Sequence, residues 1–117
     1  SRRLVGEHTL TKEEWMSEQP FSDVVAMSSP RTEGEPLIHI PYGCLVPEKL
    51  EGLLAAGRCI SVDTAVHGCV RLIPPCLATG QAAGTAAAMA AAQGVKAREI
   101  DREKLQASLV EQDVRLA

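Results

Sequence analysis

The residues best suited to chemistry in this sequence lie at Gly57 and in a small-residue segment, Ala-Thr-Gly-Gln-Ala-Ala-Gly, at positions 78–84. The pattern predicts that a helix begins at this segment. A helix N-terminus exposes unpaired backbone N–H groups and carries about half a positive charge, so it stabilises an anion on its axis. Gly80 has no Cβ, which allows a flat or phosphorylated ligand to approach the backbone closely. The segment therefore indicates a ligand site, although glycine after a strand and Ala/Gly helices are also common packing devices.

Several other kinds of site are excluded by the sequence. There is no Gly-Lys-Ser/Thr, so a Walker-type phosphate loop is ruled out, and Gly80 and Gly84 do not make a G-x-G-x-x-G fingerprint. The four cysteines form no CxxC pair, and no histidine has zinc-ligand spacing from two of them. We expect no metal site. Small buried thiols in a reducing compartment are the favoured interpretation of the cysteines, and a disulfide or a redox-active thiol is the alternative.

The elements that must position Gly57 and the small-residue segment follow from hydrophobic pattern and breakers. The run at 53–57 is apolar and ends in glycine, which favours a strand buried on both faces of a parallel sheet. A connection of about twenty residues, from 58 to 78, then runs to a stop at Pro74-Pro75. The predicted Ala-rich helix spans 79–93, with Gly94 as its C-terminal cap.

Flanking elements are predicted by similar signals. Thr11 and Glu14 form a capping box for a short helix at 12–18. Residues 23–27 fit a strand or a helix, and 37–40 fit a short strand closed by Pro41. The last helix is predicted to have Asp101 as its N-cap and three apolar residues on its inner face: Leu105, Leu109 and Val110.

Composition excludes some classes of partner. The 117 residues include 12 basic and 15 acidic side chains, a net charge of −3, which gives no electrostatic reason to expect nucleic acid. The longest apolar stretch, 77–92, is interrupted by Thr, Gln and Gly, so no membrane span is expected. No signal peptide is visible, and we expect a cytoplasmic protein.

The aromatic content of 3% leaves little material for a large core. The chain also starts at a serine rather than a methionine. We therefore expect a fragment of a longer protein, which needs other polypeptide to complete its core.

Three blocks of the sequence, taken in order, resemble one family. They closely resemble the C-terminal signature of a bacterial family of FAD-dependent oxidoreductases, allied to the glutathione-reductase-type and fumarate-reductase flavoproteins. The blocks cover most of the chain, and only their combination is specific: Ser1-Arg2-Arg3-Leu4-Val5-Gly6-Glu7-His8-Thr9-Leu10-Thr11; Ile40-Pro41-Tyr42-Gly43-Cys44-Leu45-Val46-Pro47; and Gly57-Arg58-Cys59-Ile60-Ser61 with Arg71, Pro74, Cys76 and the run from Ala78 to Ala88.

The resemblance implies an α/β fold, in which this chain is the C-terminal fragment of a two-domain, Rossmann-like, glutathione-reductase-type FAD-binding protein. Residues 1–48 would return from the substrate-facing domain as short strands. Residues 49–117 would supply the last strand and helices of the FAD-binding domain. The partners would be a small-molecule substrate and the remainder of the same polypeptide. We also expect the isolated fragment to form homo-oligomers or to be marginally stable.

The resemblance further implies cofactor contacts. Gly57 and Arg58 would lie near the pyrophosphate and ribityl chain of FAD, with Ser61 in the same block. Many relatives carry Gly-Asp where this chain has Gly-Arg, and for Arg58 phosphate pairing and a structural salt bridge are both open. The other predicted cofactor-binding residues would place helix N–H groups against the pyrimidine edge of the isoalloxazine, where reduction leaves negative charge: Thr79, Gly80 and Gln81.

Two side chains lie in the loop that would pass the flavin ring, and these are the predicted catalytic residues. Arg71 is interpreted as a clamp for a carboxylate substrate or as a flavin contact, with a loop salt bridge as the alternative. His67 is interpreted as a proton donor or acceptor, with a surface histidine as the alternative.

The sequence thus predicts the C-terminal part of an FAD-dependent oxidoreductase that transfers a hydride between an organic substrate and flavin, a part that would be inactive in isolation. The alternative hypothesis is a non-enzymatic small α/β domain whose Ala-rich helix packs against a partner chain. Low aromatic content and the spacing of Gly80, Gly84 and Ala88 motivate that alternative.

Overall fold

The computed structural model describes residues 3–116, in which a two-stranded antiparallel sheet packs against a long Ala-rich helix and a shorter C-terminal helix. Ser1 and Arg2, part of the first resemblance block, lie outside the described residues. The elements in chain order are α1 (Lys12–Met16), β1 (Val24–Ser28), β2 (Ile38–Pro41), a 3₁₀ turn (Tyr42–Leu45), a 3₁₀ turn (Gly57–Cys59), α2 (Thr64–Val70), α3 (Ile73–Gln93), a 3₁₀ turn (Ala97–Glu99) and α4 (Arg102–Glu111).

One hydrophobic core joins the N-terminal and C-terminal segments. Strand β1 contacts both α3 and α4, and Val25, Ala26 and Ile40 on the two strands are fully buried. The Tyr42 hydroxyl donates a 2.7 Å hydrogen bond to the carbonyl of Ala97, which ties the sheet end to the turn before α4. The observed mixture of helices with a small sheet is compatible with an α/β fragment.

The N-terminal predictions agree with the structure. The Thr11–Glu14 capping box is present at α1, although the helix ends at Met16. Residues 24–28 form a strand, which resolves the ambiguity between strand and helix. The strand predicted at 37–40 is confirmed within one residue, with Pro41 as its last member opposite Val24.

The strand predicted at Leu53–Gly57 is wrong. Residues 53–56 belong to no strand, and half of the surface of Leu53 is exposed. A strand is defined by a ladder of hydrogen bonds to a neighbour. The backbone contact from this segment to the sheet region is a single bond, from the N–H of Ala55 to the carbonyl of Leu45 at 2.9 Å.

The long loop predicted from Arg58 to Ala78 is also wrong, because it contains α2 and the first six residues of α3. The Asp63 carboxylate caps α2 by accepting from the N–H of Val66 at 2.9 Å. Pro74 and Pro75 lie in the first turn of α3 rather than stopping a segment. Proline suits this position because first-turn N–H groups have no intrahelical partner and its fixed φ is helical.

The C-terminal predictions are confirmed with one exception. Helix α3 ends at Gln93, and Gly94 follows it in the left-handed conformation with φ 66°. The Asp101 side chain caps α4 by accepting from two backbone N–H groups, and Leu105 and Leu109 are fully buried. Val110 is 58% exposed, so it does not lie on the inner face.

None of the described helices is both long enough and apolar enough to cross a lipid bilayer.

Candidate functional site

Gly57 and Thr79 are joined by a hydrogen bond that fixes the loop before α2 on α3. The N–H of Gly57 donates to Oγ1 of Thr79 at 2.9 Å, and that hydroxyl donates to the carbonyl of Pro75 at 2.9 Å. Gly57 has φ 83°, a conformation that strongly favours glycine. Thr79 is 1% exposed. Its hydroxyl therefore positions the Gly57 backbone and is not open to a ligand in this chain.

The predicted helix start at Thr79 is wrong, because α3 begins six residues earlier at Ile73. The N–H groups of Thr79, Gly80 and Gln81 belong to the helix interior, where they face carbonyls of the preceding turn. Only the first turn of a helix offers unpaired N–H groups. The anion-binding end of α3 therefore lies near Leu72 and Ile73, and the two prolines there remove two of its donors.

Gly80 and Gln81 lie on the exposed side of α3. A Cβ at Gly80 would meet nothing within 4 Å, so this part of the helix surface is open in the described chain. The Gln81 amide donates a 2.9 Å hydrogen bond to Oε1 of Gln112, which follows α4. Gly80 thus leaves an open backbone surface, whereas Gln81 links α3 to the end of α4.

His67 connects the two arginines that flank α2. Its Nε2 lies 3.1 Å from the carbonyl oxygen of Arg58, and its own carbonyl accepts from the N–H of Arg71 at 3.2 Å. A carbonyl oxygen only accepts, so Nε2 carries the proton in this contact and Nδ1 is the free basic nitrogen. The structure therefore places His67 next to Arg58 and one helical turn before Arg71.

Arg58 and Arg71 line one cleft of about 330 Å³ at the start of α3. Its other lining residues are Ile73, Cys76 and Leu77. Within residues 3–116, neither guanidinium has a hydrogen bond or an ion pair. The alternative prediction, a structural salt bridge, therefore finds no acidic partner among these residues. Sequence reasoning missed Ile73 and Leu77, and it gave Cys76 no role at the site. The Pro74-Pro75 pair, read as a helix start, is the signal that would have placed them in the first turns of α3.

Ser61 lies apart from this cleft. It is 1% exposed, and its Oγ accepts from the N–H of Gly6 at 3.0 Å and contacts Oγ1 of Thr9 at 2.8 Å. A Cβ at Gly6 would stand 2.7 Å from the Gly43 carbonyl, which explains the glycine. In this chain Ser61 holds the N-terminal segment against the core.

All four cysteines are free thiols. Cys44 and Cys69 are buried, and burial raises the pKa of the Cys44 thiol to about 12, which keeps it neutral. Cys59 is exposed, and Cys76 faces the cleft. Over the described part of the chain, no group of three or more His, Cys, Asp or Glu residues could hold a metal ion.

Comparison with known proteins gives one family. The family model described as "FAD dependent oxidoreductase" matches residues 30–109. This range includes the loop after β1, strand β2, helices α2 and α3, and most of α4, and it contains every residue that lines the cleft. The comparisons with curated proteins and with solved structures gave no match.

Proposed function

The chain belongs to the FAD-dependent oxidoreductase family, and we propose that it is the C-terminal part of an enzyme that transfers a hydride between an organic substrate and flavin. The observation that carries the proposal is the family match over 30–109, which includes Gly57, Arg71 and Gly80 in their predicted order. The allied glutathione-reductase-type, Rossmann-like fold and a bacterial origin are part of the same proposal.

The described residues are compatible with an FAD group. A flat ligand needs backbone that it can approach, and the open surface at Gly80 supplies it. A pyrophosphate needs cations or N–H donors, and Arg58 and Arg71 carry unpaired guanidinium groups. When bound, FAD would supply the acceptor or donor for the hydride.

Each predicted site residue has a proposed role. Gly57 and Arg58 would bind the phosphate-bearing part of the cofactor, and Gly80 would contact the flat ring. Thr79 would position Gly57 through its hydroxyl, and Gln81 would keep α3 against the chain after α4. Ser61, which is buried, would have a structural role: its hydroxyl would hold the N-terminal segment against the core.

Arg71 and His67 would act on the substrate. Arg71 would orient a carboxylate through charge-assisted hydrogen bonds. His67 would accept or return a proton at Nδ1, since its Nε2 is held by the Arg58 carbonyl. This arrangement uses one residue both to place Arg58 and to exchange a proton.

The remainder of the same polypeptide is the proposed partner of α3. The helix contains no charged residue in 21 positions, and its outer side beyond the cleft is exposed and consists of glycine and alanine at positions 84, 87, 88, 91 and 92. A helix that is apolar all round is typically buried. Free thiols are common in reducing compartments, which supports a cytoplasmic location.

The test is an absorbance spectrum of the full gene product that contains this chain, purified without added cofactor and then denatured. We expect flavin bands that pass into the soluble fraction on denaturation. A protein that stays colourless when mixed with FAD would contradict the proposal. It would favour the alternative of a partner-binding domain, for which the exposed side of α3 is the supporting observation.

A matched pair of variants tests the Gly80 contact. Gly80→Leu, in the full product, should fold but bind FAD at least about tenfold more weakly, because a side chain would occupy the approach surface. Ala92→Leu makes a similar change at an exposed position near the end of the same helix and should retain affinity. Equal affinity in both variants would place the flavin elsewhere.

A further inference from the structure

We propose that Arg58 and Arg71 together form an oxyanion-binding site in the cleft at the start of α3. The ligand group would be one carboxylate or one phosphate held by both guanidinium groups at once, so that the two arginines share a ligand instead of acting separately on cofactor and substrate. Its identification as a group of the enzyme's organic substrate or of its cofactor rests on the proposed function. The anion site itself depends only on the residues of the cleft.

The cationic character of the cleft is the first argument. Its lining contains two guanidinium groups and no carboxylate, in a chain whose net charge is −3. Some of the other arginines in the described chain are paired with carboxylates. Arg102 contacts Asp23 at 2.7 Å and Glu7 at 3.0 Å, for example. Arg58 and Arg71 therefore stand out as two unneutralised cations that share one concave surface, within residues 3–116.

The second argument is that both arginines are held by one residue. His67 binds the carbonyl of Arg58 through its ring and accepts from the N–H of Arg71 through its carbonyl. The two backbones are thereby fixed relative to one another by a short path. A site that is preorganised in this way loses less entropy when it binds its ligand.

The walls of the cleft are the third argument. Ile73 and Leu77 provide apolar surface beside the two charges. The N-terminus of α3 lies at the same place, but its two prolines remove N–H donors, so the two arginines would carry the binding. The cleft therefore fits a small oxyanion joined to a short apolar body.

The experiment is an anion titration of the 117-residue chain, at a protein concentration where sedimentation shows one species, followed by amide NMR shifts at constant ionic strength. Inorganic phosphate is the probe in one arm and succinate in the other. We expect saturable shifts at residues 57–58, 71–73 and 76–77, and the tighter probe identifies the phosphate or the carboxylate source. Shifts spread over the whole chain, or no saturation with either probe, would overturn the proposal.

Variants separate this site from general surface charge. Arg58→Gln and Arg71→Gln should each weaken binding of the better probe by about tenfold, and the double variant by more. Arg31→Gln removes one charge from the exposed loop after β1 and should leave the affinity unchanged. Equal weakening by all three substitutions would overturn the proposal.

A His67→Ala variant tests the positioning step. It should weaken anion binding although His67 does not line the cleft, and His67→Gln, which retains a donor for the Arg58 carbonyl, should restore part of the affinity. No flavin takes part in these measurements. If the chain binds neither anion, the proposal that the full product binds flavin is unaffected. If the full product is colourless, the proposed anion site is unaffected.

Discussion

The backbone geometry around Gly57 depends on the side-chain hydroxyl of Thr79. It accepts from the Gly57 N–H and donates to the Pro75 carbonyl, and it is almost completely buried. A Thr side chain that bonds back to its own helix satisfies its donor, and its lone pair is then free to accept from outside the helix. One hydroxyl thus joins the loop before α2 to α3.

Thr79→Val should destabilise the chain by about 1 to 3 kcal/mol. Valine has nearly the same shape, but the N–H of Gly57 would be left without its acceptor in a partly buried place. Urea unfolding measures the change. Thr79→Ser keeps the hydroxyl and should retain more of the stability.

Thr85→Val is the matched control for that substitution. Thr85 lies on the same helix, and its hydroxyl makes two long, exposed contacts with the side-chain amide of Gln112, at 3.3 and 3.5 Å. Its replacement should change the free energy of unfolding by less than about 0.5 kcal/mol. The same small effect at both positions would show that the Gly57 contact contributes little.

Helix α3 shows two different faces. Its buried face contacts β1 and α4 through small residues, whereas its outer face exposes apolar and small residues without charge. The buried members are Pro75, Thr79, Ala82, Ala86 and Ala90. Alanine at these positions lets the sheet approach the helix backbone closely, which a larger side chain would prevent.

Ala86→Leu should destabilise the chain by about 1 to 3 kcal/mol, because it adds three carbon atoms to a position with no exposed surface. Thermal unfolding of the 117-residue chain is the measurement. Ala88→Leu makes the same change at an exposed position of the helix and should alter stability by less than about 0.5 kcal/mol. If Ala86→Leu were as stable as the unmodified chain, the contact between α3 and the sheet would be loose.

The whole molecule is held together by contacts between its two ends. Arg102, at the start of α4, binds Glu7 and Asp23, and its guanidinium lies 5.0 Å from the centre of the Tyr42 ring. Burial nevertheless raises the pKa of Tyr42 to about 12. The ring and its hydroxyl are therefore part of the neutral core that both ends share.

Stability should fall at alkaline pH. Burial raises the pKa of Tyr42 from 10.0 to about 12 and that of Cys44 from 9.0 to about 12. A raised pKa stabilises the folded state fully below the unfolded pKa, and this stabilisation is lost as pH rises towards the folded pKa. We expect the free energy of unfolding to fall by about 1.4 kcal/mol per pH unit for each group, from about pH 9 for Cys44 and from about pH 10 for Tyr42.

Urea unfolding between pH 8 and pH 11 checks this expectation. Cys44→Ala removes one of the two groups, so its stability should depend less steeply on pH even though the variant starts from a lower value. A free energy of unfolding that stays constant over this range would contradict the argument.

The isolated chain should associate or be marginally stable, because large apolar side chains are exposed on α3 and elsewhere. Val5, Leu50, Ile73 and Leu77 each expose more than half of their surface. Sedimentation equilibrium should show assemblies whose size falls in a Leu77→Lys variant. A stable, compact monomer of the unmodified chain would contradict the prediction.

Local signals determined much of this structure from the sequence alone. The Thr11–Glu14 capping box, the Gly94 cap and the Asp101 cap are recognisable because a cap depends on residues three or four positions away. The sequence alone also indicated the resemblance to FAD-dependent oxidoreductases, because that resemblance depends on the order of residues. The family match agrees with it.

Tertiary structure decided the elements around the candidate site. Apolar content at 53–57 suits a strand, but a strand forms only with a neighbour, and the described residues supply a single hydrogen bond to the sheet region instead. Pro74-Pro75 can end one segment or begin a helix, and the packing of Pro75 and Thr79 against the core selects the second. Arg58 and Arg71 line one cleft because α2 lies between them and His67 on that helix contacts the Arg58 carbonyl. No residue spacing in the sequence indicates that contact.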